Sequence, residues 1–69
     1  MRDILLEMAQ EYDKDLISIK AQITLLEGIY RKKKTDIIKD ILKKLYEERD
    51  YYANRANFYR ALHTKSKNS

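Results

Sequence analysis

The chain has 69 residues, 38% of them charged and 43% hydrophobic, and carries a formal net charge of +4. That length holds one domain at most and lies at the size where a single core needs added support. The absence of cysteine excludes disulfides and a lone histidine excludes a Cys/His zinc site, while zero proline and one glycine exclude collagen-like and hairpin-rich β architectures.

The first ten residues, MRDILLEMAQ, place Asp3 and Glu7 inside their apolar stretch. A secretory signal needs an unbroken apolar run of roughly 7–15 residues, and a transmembrane helix needs about 18. Neither is present, so the expected setting is cytoplasmic, without membrane contact.

Apolar residues then recur at helical spacing: Leu5, Met8, Tyr12, Leu16, Ile19, Ile23, Leu26 and Tyr30. The steps are threes and fours, close to a heptad seam with one stutter. The first helix is predicted over about residues 3–32. Gly28 offers an earlier end as a C-terminal cap, but Ile29 and Tyr30 continue the stripe, at a cost of about 1 kcal/mol for glycine inside a helix. The cations Arg31, Lys32, Lys33 and Lys34 suit the negative end of the helix dipole. Thr35 is a good N-cap for a second helix, with Asp36 in its first turn. That helix is predicted over about residues 36–62 from Ile38, Ile41, Leu42, Leu45, Tyr52, Ala56, Tyr59 and Leu62, interrupted by Glu48 and Arg49. The last residues, 63–69, lack periodicity and are expected to form a flexible tail.

Two helices joined by a tight connection must fold back as an antiparallel αα-hairpin. The expected fold is therefore all-α, a single helical-hairpin domain over residues 1–69. Charge favours the pairing. Residues 1–30 hold three cations and six anions, net −3, and residues 31–69 hold twelve cations and five anions, net +7. Folding about residue 34 sets Leu26 against Leu42, Ile23 against Leu45, Leu16 against Tyr52, Tyr12 against Ala56 and Met8 against Tyr59. Arg49 falls near Ile19, either in the seam to set register or with its guanidinium reaching the rim.

A two-helix pair leaves apolar surface wet. Tyr51, Phe58 and Leu62 form a second strip on helix 2, a candidate interface for a partner or a dimer. Ile17, Ala21, Thr24 and Gly28 line helix 1 opposite its main stripe. They read either as an ordinary exposed face or, at Ile17 and Ala21, as a site of close helix approach.

Catalytic chemistry is poorly supplied. His63 is the lone imidazole and sits at the start of the expected tail, without the orienting partner and pocket that a general base needs. The helically spaced carboxylates Glu7, Glu11 and Asp15 read as a solvated face, since a di-iron bundle requires Glu-x-x-His. No cofactor or small-molecule substrate is expected, and no enzymatic activity.

After Asp50 the chain has no further acid, while Arg55 and Arg60 interleave with Tyr51, Tyr52, Phe58 and Tyr59. Those residue types serve on nucleic acids, cations for phosphates and rings for stacking. The plainer reading makes the tyrosines core, with Arg55 covering their edges. Arg31, Lys32, Lys33 and Lys34 are a second candidate phosphate contact, or a solvated cap at the hairpin tip. The main functional expectation is a protein-interaction module: an adaptor, inhibitor or regulator that pairs into a homodimeric four-helix bundle or docks on another protein. The alternative is a small nucleic-acid-binding regulator using Arg55, Arg60 and the basic run.

Overall fold

The computed structural model describes residues 3–67, which form two helices, α1 (Ile4–Lys32) and α2 (Asp36–Lys67). They lie antiparallel as a hairpin of 52 × 16 × 13 Å. No strand occurs among the described residues.

Each helix begins where a short polar side chain satisfies a terminal N–H. Asp3 caps α1, its Oδ1 accepting from Leu6 N at 3.2 Å. Thr35 caps α2, its Oγ1 accepting from Ile38 N at 3.3 Å and its carbonyl from Lys39 N at 3.1 Å. Of the two ends open for α1, the later one holds. Gly28 has no positive φ, and the helix runs four residues past it to Lys32. There Lys33 N donates to Ile29 O at 2.9 Å and the backbone turns extended.

The expected end of α2 at Leu62 is corrected. The helix continues through Lys67, so residues 63–67 are helical rather than an irregular tail; the expectation for residues 68 and 69 lies outside the described residues. Sequence gave no apolar reason to extend the helix, but the tertiary fold supplies a polar one. His63 Nδ1 meets Asp3 Oδ2, so the residue that caps α1 also ties down the last turns of α2. His63 is accordingly partly buried rather than solvated.

The seam also differs from the expected stripes: on α2, Ile41 and Leu62 stand exposed outside it, and on α1 one residue replaces another. Ala9, not Met8, faces α2: Ala9 is 0% exposed and Met8 37%. With Ala9 in place the stutter vanishes. Leu5, Ala9, Tyr12, Leu16, Ile19, Ile23, Leu26 and Tyr30 follow an unbroken alternation of four and three, the heptad a/d rule. On α2 the same rule picks Ile38, Leu42, Leu45, Arg49, Tyr52, Ala56, Tyr59 and His63. The six buried hydrophobic residues, Ala9, Ile19, Ile23, Leu42, Leu45 and Ala56, all fall on these positions.

The centre of the hairpin is an aliphatic cluster of Ile19, Ile23, Leu42 and Leu45, flanked by Leu26, Tyr30, Ile38, Tyr46 and Tyr52. Toward the open end the seam becomes aromatic. Tyr12 stacks on Tyr59 and tilts against Tyr52, with both centroids at 5.7 Å. In this antiparallel register two of these rings face an alanine, Tyr12 opposite Ala56 and Tyr59 opposite Ala9, while Tyr52 falls opposite Leu16. That alternation lets the two backbones approach while the rings fill the gaps.

Arg49 resolves toward the rim. Its guanidinium lies over the Tyr46 ring at 5.1 Å and its Nε donates to Asp50 Oδ1 at 3.2 Å. No polar or charged residue is buried among those described, so Arg49 reaches the surface and covers the seam with its stem.

Candidate interaction face

The heptad register gives the hairpin two unlike edges. In an antiparallel pair the e positions of both helices share one edge and the g positions share the other, because a faces d across the seam. The e edge is closed by polar contacts. Tyr46 donates to Glu27 Oε2 at 2.8 Å, and Arg60 forms an ion pair with Asp13; all four residues are e positions. The bond to the Glu27 carboxylate is the main cause that raises the Tyr46 phenol above its usual pKa of 10.0.

The opposite edge has no such closure. On α2, Ile37, Ile41, Lys44, Glu48, Tyr51, Arg55, Phe58 and Leu62 repeat the four-three alternation, one seam over from the first. These are the c and g positions. The expected interface strip, Tyr51, Phe58 and Leu62, belongs to this second seam and stands 55%, 49% and 37% exposed. The strip continues toward the tip, where Ile37 and Ile41 are also exposed, an extension the spacing of Tyr51, Phe58 and Leu62 did not reveal.

The c and g positions of α1 adjoin the same edge. They carry exposed Leu25 and Ile29 near the tip and exposed Ile4 and Met8 near the open end. Nine of the eleven exposed large hydrophobic residues thus share one face, Leu6 and Ile17 being the others. The face is apolar at both ends. Its middle is polar, with Glu11, Asp15, Ser18 and Gln22 from α1 and Lys44, Glu48 and Arg55 from α2.

The predicted patches do not all meet. Ile17 and Ala21 occupy b and f positions on the back of α1, away from Tyr51, Phe58 and Leu62, and both are exposed. Gly28 shares that back with open space around its Cα.

Of the two candidate nucleic-acid arginines on α2, both are engaged within the hairpin. Arg60 also donates to Asn57 Oδ1 at 3.4 Å, besides its pair with Asp13. Arg55 lies over the rings of Phe58 at 5.4 Å, Tyr59 at 5.3 Å and Tyr12 at 6.0 Å, and donates to the Tyr59 hydroxyl at 3.1 Å. Hydrogen bonding with Tyr12, then the Tyr59 phenol, raises its pKa further. Even so, its Nε is shielded from solvent and has no hydrogen-bond partner. Arg31, Lys32, Lys33 and Lys34 are exposed at the tip.

A groove of about 870 Å³ lies near the tip beside Tyr30, Leu42 and Tyr46. Its charged lining, Glu27 and Asp40 against Arg31, Lys39 and Lys43, consists of exposed side chains rather than the few buried polar groups of a ligand pocket. Among the described residues no cluster of three or more His, Asp or Glu side chains is placed to hold a metal ion. None of their helices is long and apolar enough to cross a membrane. No protein-family model, curated protein or solved structure matches the chain.

Proposed function

We propose that the chain is a non-enzymatic helical-hairpin interaction module, an adaptor, inhibitor or regulator, that works through its c/g face. The observation that carries this reading is the one-sided placement of its exposed apolar residues. Scattered hydrophobic residues are normal on a surface, whereas nine of the eleven exposed large ones gathered on one face mark an interaction site.

Total area supports the same reading. The hairpin exposes 5691 Å². A compact monomer of 8.3 kDa exposes roughly 4,600 Å² by the usual size scaling. The surplus is large enough to supply one side of an ordinary protein interface, about 800 Å².

Affinity capture with the intact chain tests the proposal. Proteins retained by the wild type should be lost with Ile41→Glu/Phe58→Glu and kept with Ile17→Glu, whose side chain stands on the back. Equal retention by all three would refute it. The nucleic-acid alternative draws on the exposed Arg31–Lys34 run. It requires that binding of a single-stranded oligonucleotide fall with salt at a slope of about −0.7 per phosphate contacted, and that nuclease treatment abolish the captured material.

A further inference from the structure

The occupant of the c/g face can be argued from its charge pattern. The polar middle is acidic on α1, where Glu11 and Asp15 stand, and carries Arg55 at the same height on α2. Asp15 makes no ion pair within the described residues, and Arg55, held among rings, has a shielded nitrogen with no acceptor. Arg55 likewise makes no ion pair with a carboxylate among the described residues, so its charge has no acidic partner within the hairpin.

Two twofold arrangements lay this face on its own copy. With the axis across the helices, α1 covers α1 and α2 covers α2. Heights along the hairpin then bring Arg55 to Lys44 of the other copy and Glu11 to Leu25, a like-charge contact and an acid set against an apolar side chain. With the axis parallel to the helices, α1 of one copy covers α2 of the other, tips at the same end. That brings Glu11 and Asp15 to Arg55, while the apolar tip meets the apolar tip and the apolar open end meets its equivalent. Every neighbouring helix is antiparallel, as in an up-down four-helix bundle.

Resting on the interaction reading above, we propose that the partner is a second copy of this chain, docked about a twofold axis parallel to the hairpin so that the Asp15 carboxylate of each copy reaches Arg55 of the other. The area fits. At roughly 150–200 Å² per large apolar side chain, about half of it exposed, the nine face residues offer some 700–900 Å² per copy, against about 800 Å² per partner in a standard interface.

Sedimentation equilibrium of the full chain over about 1–100 μM tests this. The wild type is expected to be dimeric. Asp15→Arg and Arg55→Asp should each weaken the dimer about tenfold or more. An equimolar mixture of the two variants should regain wild-type affinity as a heterodimer. Within each variant positions 15 and 55 carry like charges, so only contacts between copies can produce that recovery. A monomeric wild type, or a mixture no tighter than either variant, overturns the proposal. If Arg55→Asp loses its helical circular dichroism, Ile29→Glu/Ile41→Glu takes its place: these exposed side chains lie outside the seam, and a dimer that survives their replacement also overturns it. A monomeric wild type would leave the interaction reading standing, because that reading fails only when capture of other proteins is indifferent to the same face.

Discussion

Ala56→Leu probes the packing rule on which the hairpin rests. Ala56 is 1% exposed and faces Tyr12, whose ring is already in contact with Tyr52 and Tyr59. Leucine matches alanine closely in helix propensity, so the backbone is indifferent to the change. The added carbons have no void to enter and must displace an aromatic ring or spread the helices. Overpacking of this kind costs about 1–3 kcal/mol. A chain this size, at about 0.05–0.15 kcal/mol per residue, has roughly 3.5–10 kcal/mol in total. The midpoint of thermal unfolding, followed by circular dichroism at fixed protein concentration, should fall by about 4–8 °C for each kcal/mol lost. Ala61→Leu, on the exposed face of the same helix, should stay within about 0.5 kcal/mol of wild type. If the Ala56 variant is equally unperturbed, the pairing of rings with alanines is wrong.

Other expectations follow from the caps and the sealed edge. Gly28→Ala should stabilise the hairpin by about 1 kcal/mol in urea titration, since a Cβ there meets nothing within 4 Å and the backbone is helical. Asp3→Ala should destabilise by roughly 0.5–2 kcal/mol through loss of the N-cap, and Asp3→Asn by clearly less, because asparagine caps as well and only the charge facing His63 is removed. Equal losses would mean that the contact with His63 outweighs the cap. The raised pKa of Tyr46 sets an alkaline dependence. Its bond to Glu27 contributes fully below the unfolded tyrosine value near 10 and is lost as pH rises through the higher folded value. Carbon-13 NMR of the tyrosine rings should show Tyr46 titrating at lower pH in Glu27→Gln than in wild type; an unchanged titration would refute the assignment of the shift to that carboxylate.

Much of the architecture was legible in the residues themselves. The stripes of threes and fours, Thr35 as a cap and the absence of proline require two long helices, and the short connection makes them antiparallel. These are local matters of backbone propensity and one-dimensional periodicity. Periodicity could not choose between Met8 and Ala9, because hydrophobicity favours methionine, whereas the seam there needs a small residue opposite Tyr59. The end of α2 was equally hidden, since His63 gains its partner from Asp3 at the far end of the chain. Tyr51, Phe58 and Leu62 were visible as a strip, but their union with Ile37, Ile41 and the α1 residues was not. Which edge of a helix faces outward follows only once the main seam is placed, and that placement depends on which side chains interlock across the two helices. Sequence alone thus determined that this chain makes a pair of helices with apolar surface to spare. Tertiary structure decided where that surface lies, because side-chain volumes meeting in space, and not their order along the chain, set the register.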